Sequence, residues 1–372
     1  MHEQLESNMM HPSRREALAI LAGSVAATSS RAISAPAQGL GEIAAANGFV
    51  FGAACGPVIN NDAPYRDLYT QHTRIVTTDV AMKMGTIAGQ PGTKRFEAPD
   101  RLLKFCADNK LPMRGHTLIW NEWVPPWIRA MSTDERRVFF DSYIEEVVGR
   151  YAGQLHSWDI VNEPFWPGHK APGNYRLGPW YDAFGPGYAL RAFQRAALVD
   201  KKSKFVLNEA HSERDDAVGL AIRAGLLKLV DELQHAGVPL HAVGLQGHLQ
   251  PRYPHDHSRF ADFLHALAER KVDIYITEFD VRDDTFPDDI PTRDAMIAET
   301  AERFLNNVLK VPAVKMVIAW ELSDHYSFYT DAAKKKDPLA LRLPRPLPFD
   351  AQNQKKPLWH AMARAFQNNK RA

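Results

Sequence analysis

The sequence predicts an α/β protein whose single domain is a closed (β/α)8 TIM barrel, and three observations carry that reading. Eight short runs rich in β-branched and aromatic residues recur along the chain, their starts 25 to 48 residues apart. Each gap holds a loop and a stretch with apolar residues at three- and four-residue spacing, the period of an amphipathic helix. The whole chain has 372 residues, 45% hydrophobic and 24% charged, which is ordinary for a soluble globular protein, and such barrels pass 250 residues as one unit. Strict alternation makes the strands parallel with right-handed crossovers, and eight units close into a ring more naturally than they spread into an open doubly wound sheet, the alternative topology.

Residues 1–38 stand apart from the fold. Arg14-Arg15 opens a short Ala-rich apolar run, and Ala35-Pro36-Ala37 follows it. Paired Arg, a short apolar core and an Ala-x-Ala site describe a twin-arginine-type export signal, too short to anchor in a bilayer. Ala17 and Ala19 depart from its usual bulky apolar residue and Lys, and a tail with a chance Arg pair is the other reading. The expected mature protein is therefore residues 39–372, periplasmic or secreted.

Strands are expected at 49–55, 74–79, 112–120, 156–164, 204–210, 242–249, 272–280 and 314–322. Intervening helices are marked in turn by Leu102 and Phe105, by Phe139, Tyr143, Val147 and Tyr151, and by Leu190, Phe193 and Ala197. Ile222, Leu226 and Val230 mark the next, then Phe260, Phe263, Leu264 and Leu267, then Ala301, Phe304, Leu305 and Val308. A helix at 358–366 would close the ring.

Composition narrows the function. With 45 Lys+Arg against 44 Asp+Glu, no basic excess exists for nucleic acid or an anionic membrane. No Gly-x-Gly-x-x-Gly or Walker sequence is present, so nucleotide chemistry loses its main support. Cys55 and Cys106 cannot build a disulfide framework or a thiolate zinc site. No cofactor or metal is expected, and the chain reads as a monomer. Barrels carry their sites where strands end, and there the polar residues collect: Asp79 and Lys83, then Arg114, His116 and Trp120, then Asn162-Glu163. Asn208-Glu209, Gln246 and His248, Glu278 and Asp280, and Trp320, Glu321 and Asp324 follow on later strands. Glu163 and Glu278 each end an apolar strand, where a charge is costly unless used or paired. Strands four and seven face each other across the mouth. Two opposed carboxylates in an aromatic-rich cleft suit glycosidic bond cleavage.

These residues resemble the endo-β-1,4-xylanases of glycoside hydrolase family ten over about residues 48–368. Arg114-Gly115-His116-Thr117-Leu118-Ile119-Trp120 looks like the family's third-strand motif. Trp158-Asp159-Ile160-Val161-Asn162-Glu163-Pro164 looks like its acid/base motif, and Thr277-Glu278-Phe279-Asp280 like its nucleophile motif. Gln246-Gly247-His248-Leu249 and Trp320 with Asp324 match as well. The resemblance implies retaining, endo-acting hydrolysis of xylan or a related β-1,4-linked polysaccharide by double displacement. Glu278 would be the nucleophile and Glu163 the acid/base, their carboxyls about 5 to 5.5 Å apart. It implies that His248 holds Glu278 and that Asn162 grips the sugar 2-hydroxyl. Lys83, His116 and Gln246 would bind hydroxyls, with Trp120 and Trp320 flanking the sugar; Asn208 and Phe328 complete the substrate-binding set. A nearby ionised Glu278 is expected to raise the pKa of Glu163 by like-charge repulsion.

The pattern also departs from the family. Asp79-Val80 replaces Glu-Asn, Asn121 replaces a His, Glu209 an Asp, Glu321 a Gly, and Phe328 a Trp that closes over the glycone. Three readings compete with xylan hydrolysis: a β-1,4-glucan or exopolysaccharide hydrolase, a metal-dependent hydrolase using rim histidines, and a non-catalytic polysaccharide-binding or assembly protein derived from a glycosidase. His255-Asp256-His257, Asp283-Asp284 with Asp288-Asp289, and Lys334-Lys335-Lys336 read as polar surface loops. Trp120, Trp123, Trp127, Trp166, Trp180 and Trp320 are expected on a sugar-binding rim, and Trp158 and Trp359 in the scaffold.

Overall fold

The structure, a computed structural model, describes residues 38–371, so the expected export signal lies outside the described residues. Eight strands carry the barrel: β1 (Val50–Cys55), β2 (Val76–Thr78), β3 (Met113–Gly115), β4 (Ser157–Asn162), β5 (Lys204–Glu209), β6 (Ala242–Leu245), β7 (Asp273–Val281) and β8 (Val314–Ala319). Every neighbour is parallel, and β8 pairs with both β7 and β1, so the ring closes. The open-sheet alternative falls away.

Two expected strands are interrupted. Residues 112–120 divide into β3 and a separate two-residue strand, Ile119–Trp120, which pairs with Val161 and Asn162 of β4. Residues 242–249 divide at Gly247, whose φ of 73° turns the chain before His248–Leu249 pairs with Asp280 and Val281 of β7. Both breaks set a functional side chain, Trp120 or His248, on a short upper pairing at the strands' carboxyl ends.

Burial follows from the periodicity. The helix Thr133–Arg150 starts at a capping box, in which Ser132 accepts from the Glu135 amide and the Glu135 carboxylate accepts from the Ser132 amide. Its buried face is Phe140, Tyr143, Ile144, Val147 and Val148, one step round from the expected face, leaving Phe139 half-buried. The helix Pro357–Asn368 closes the ring beside Ile290–Val308. The Lys334–Lys336 run is not a loop but the last turn of the helix Phe328–Lys336, where cations complement the helix dipole.

Inside the barrel, Ile75, Val206, Ala242, Tyr275, Met316 and Ile318 fill the lower lumen. Above them Arg114 and Asp159 form a fully buried ion pair, with Arg114 also bonded to Ser157 Oγ at 3.0 Å. Paired burial of this kind is tolerated because each charge meets its opposite. Gly115 beside it is dictated by space: a Cβ there would lie 2.4 Å from Cε3 of the buried Trp158 ring. Gly115→Ala is expected to destabilise the barrel by about 1–3 kcal/mol through overpacking. Differential scanning calorimetry reads this as a lowered Tm, and an unchanged Tm would contradict the packing of Trp158.

Candidate active site

The β4 run ends in Asn162, and Glu163 then adopts a left-handed φ of 49°. A bulky residue holds this conformation at a cost of about 1–3 kcal/mol when its surroundings over-determine it. Here the Glu163 amide donates to the Asn208 carbonyl at 2.9 Å, and the side chain is held from three sides. Gln246 Nε2 donates to Oε1 at 2.9 Å, and Trp120 Nε1 to Oε2 at 3.2 Å. Arg176 Nη2 lies 3.0 Å from Oε2.

Glu278 stands within β7, facing the same mouth. Asn208 Nδ2 donates to its Oε1 at 2.8 Å and also to Asn162 Oδ1 at 2.8 Å, while Thr277 Oγ1 donates to Asn208 Oδ1 at 2.6 Å. The other carboxylate oxygen lies 3.1 Å from His248 Nε2, and His248 Nδ1 donates to Asp280 Oδ2 at 2.7 Å. His116 Nδ1 lies 2.9 Å from Asp159 Oδ2 and 3.9 Å from Glu278 Oε1. A polar column thus climbs the lumen from Arg114 through Asp159 and His116 to Glu278.

The two carboxyls are driven apart. Burial alone would raise Glu278, but the His116 and His248 imidazoles and Lys83 overcome it and hold its pKa at about 2. Burial is also the main influence on Glu163 and raises its pKa; Arg176 and the Gln246 bond oppose it, and Glu278 and Glu122 add to it. The expected like-charge repulsion is therefore present but secondary to desolvation. His248 is pulled down by burial and carried well above its ordinary value by Asp280 and Glu278, so it acts as an imidazolium clamp. One carboxylate poised as an anion and one kept as an acid are what the two halves of glycoside cleavage require.

Lys83 is buried 3.5 Å from Asp79 Oδ1, its ammonium 5.6, 4.9 and 5.7 Å from the Trp120, Trp123 and Trp320 ring centres. Trp320 meets His116 edge-on at 5.1 Å. Phe328 stands off from this cluster: it is 66% exposed and touches Tyr329, whose hydroxyl lies 3.4 Å from Asp280. The expected tryptophan rim shrinks. Trp180 is fully buried against Phe139 and Phe140, and Trp127 packs on Phe139 while donating to the Ala88 carbonyl. Both are scaffold, because a loop's position does not fix which way its side chains turn.

The departures from the family pattern also resolve. Glu321 turns inward, accepting from the Tyr65 and Tyr69 hydroxyls; burial, aided by the Asp79 charge, pushes its pKa up to about 8. Glu209 accepts from the Phe165 amide at 3.0 Å and so braces the loop after Glu163. Asp324 is buried against Lys356 at 2.8 Å and anchors the β8 loop. Asp283 is likewise no surface group but pairs with buried Arg293, at 3.4 Å. His255 Nδ1 donates to the Glu213 carbonyl at 2.6 Å, and among the described residues no three His, Cys, Asp or Glu side chains gather to hold a metal ion.

Arg176 was not among the expected site residues, and Asp159 stood only within the acid/base motif, with no role of its own. Asp159 had a signal, a charge in mid-strand matched by Arg114 in mid-strand. Arg176 had none, lying 13 residues beyond Glu163 in a Pro- and Gly-rich loop.

A closed barrel whose mouth opposes an acid-holding and an anion-holding glutamate, with Trp120 bonded to the first and Trp320 against the histidines that flank the second, defines a barrel glycoside hydrolase. The model of Glycosyl hydrolase family 10 matches residues 39–365, and the chain belongs to that family. A β-1,4-xylanase of Dictyoglomus thermophilum is 31% identical over 325 residues, 84% of this chain and 87% of that protein. An endo-1,4-β-xylanase A of a Caldicellulosiruptor strain is 29% identical, but the match spans 70% of this chain and only 40% of that longer protein. Among solved structures, xylanase 10B of Thermotoga petrophila in complex with xylobiose is 25% identical with a TM-score of 0.80, covering 91% of this chain and 99% of that one. Native xylanase 10B of Thermotoga maritima is 26% identical with a TM-score of 0.79, covering 89% and 98%.

Proposed function

We propose that this protein is an exported, endo-acting β-1,4-xylanase that works with retention. The observation that carries the reading is the split between the two glutamates, Glu278 held ionised by His116 and His248 and Glu163 held towards its acid form by burial. In the first half-reaction Glu278 attacks the anomeric carbon while Glu163 gives its proton to the departing oxygen. In the second, Glu163 takes a proton from the water that displaces Glu278. Esterified Glu278 no longer repels a charge on Glu163, which favours the carboxylate at the moment a base is needed. Asn162 lies beside Glu278 for the sugar, whereas Asn208, expected in the substrate-binding set, is fully buried with its amide given to Glu278 and Asn162 and its oxygen to Thr277, so it orients those two groups instead. The Trp120 and Trp320 faces suit the apolar face of a pyranose. All these groups come from one chain, so a monomer suffices. Arg14-Arg15 and Ala35-Pro36-Ala37 support export to the periplasm or beyond.

The xylan assignment rests on the xylanase relatives, and Val80 and Phe328 bear on which decorations the glycone side accepts. Product analysis on xylan, glucuronoxylan, arabinoxylan and mixed-linkage glucan tests it. Internal cleavage of xylan is expected, with the β-anomer appearing first by proton NMR. Cleavage of glucan alone would refute the substrate, and the α-anomer first would refute retention.

A further inference from the structure

We propose that Arg176 is a positioning residue for the acid/base carboxyl: it fixes Glu163 over the mouth and lets one side chain serve as acid in one half-reaction and as base in the other. This rests on the retaining reading above.

The grip is geometric. Arg176 is 5% exposed, and its guanidinium holds Glu163 at two points, with Nε donating to the main-chain carbonyl at 2.9 Å and Nη2 lying 3.0 Å from Oε2. The remaining Nη1 donates to the carboxylate of Glu122, which comes from the chain just after Trp120. Trp166 stacks beside the guanidinium at 5.5 Å, and the Arg176 amide donates to the Pro164 carbonyl at 2.7 Å, closing the loop on itself. A planar fork that meets both the backbone and the carboxyl of one residue fixes its rotamer as well as its charge.

The charge matters because carboxyls crowd this corner. Glu163, Glu122, Glu209 of β5 and Glu278 of β7 face it, while His211 and the Tyr188 hydroxyl lie within Arg176's field. Burial and these neighbours favour a protonated Glu163, which serves the first half-reaction. The second needs the carboxylate: water oxygen bonds to the anomeric carbon, the bond to Glu278 breaks, and the water proton passes to Glu163. A buried acid with no cation beside it would stay protonated and stall there. Arg176 supplies that cation from 3.0 Å away.

The test compares full-length wild type with Arg176→Gln, Arg176→Lys and Glu122→Gln. The Glu163 carboxyl is followed by 13C NMR titration, its signal assigned by its loss in Glu163→Gln. Arg176→Gln is expected to move the Glu163 midpoint up by roughly 1–3 pH units. On an activated aryl β-xylobioside, where departure of the leaving group needs little acid, the acid limb of kcat moves up with it. Turnover below that limb falls about tenfold for each pH interval of one that the limb climbs. Arg176→Lys keeps the charge but loses the fork, so it should hold the Glu163 midpoint nearer to wild type than Arg176→Gln does while lowering kcat without moving its pH limbs. Glu122→Gln, which removes a competing carboxylate, should move the midpoint down. A uniform loss of activity with unmoved pH limbs in Arg176→Gln, or a Glu163 midpoint indifferent to both Arg176→Gln and Glu122→Gln, overturns the proposal. The titration reads the arrangement without turnover, whereas a wild type inactive on every xylan and xyloside refutes the xylanase reading instead.

Discussion

Glu278→Gln is expected to abolish turnover of xylan and of aryl xylosides alike, by on the order of 10,000- to 1,000,000-fold, the range seen when one member of a covalent catalytic unit is removed. The substitution is nearly isosteric, so the Asn208 amide keeps an oxygen to meet and the barrel should retain its Tm. What disappears is the carboxylate that His116 and His248 hold ionised at a pKa of about 2. No activated leaving group can replace it, because the nucleophile is consumed in the first step whatever departs. The Glu278 charge also raises Glu163, so its removal should lower the acid/base midpoint, as esterification does in the working cycle. Steady-state kinetics on an aryl xylobioside with calorimetry as the folding control checks it. Activity within tenfold of wild type would show that another group attacks the sugar.

Strand ends made much of this site legible. An apolar run that stops in Asn162-Glu163 or Thr277-Glu278 announces both a strand and a rim position, since a charge there must be used or paired. Barrel geometry then places strands four and seven across from each other, which is why the pair was visible without a structure. Two kinds of information were not. Side-chain direction in loops was hidden: Trp180 and Trp127 occupy the loops expected of a sugar rim, yet both turn into the packing against Phe139. The balance of forces on an ionisable group was hidden as well. Like-charge repulsion could be read from two glutamates, but the dominance of burial at Glu163, and its partial reversal by Arg176, depends on a loop that returns only after folding. The interruptions of the third and sixth strands show the same limit, because Gly247 signals a turn without saying that pairing resumes beyond it.

Glu163→Ala separates the two roles of one residue, and its expected signature differs from that of Glu278→Gln. On xylan, whose sugar leaving group must be protonated, the rate should fall roughly 100- to 10,000-fold, the usual worth of a general acid. On an aryl xylobioside with a good leaving group, attack by Glu278 should survive. The glycosyl-enzyme then forms in a burst and waits, because no base remains to activate water. Azide, a small anion needing no general base, should enter the space vacated by the carboxyl and restore turnover as a β-xylobiosyl azide. Configuration is the strict part of the test, since two inversions give a β-product. The pH profile should change in step: wild-type kcat/KM falls on the basic side as Glu163 loses its proton, at a pH raised by burial, and in the variant that limb should vanish. Nothing comparable is expected on the acid side above about pH 3, where Glu278 is ionised throughout. An α-configured azide product, or loss of the burst together with xylan activity, would mean that Glu163 does not stand where the leaving oxygen departs.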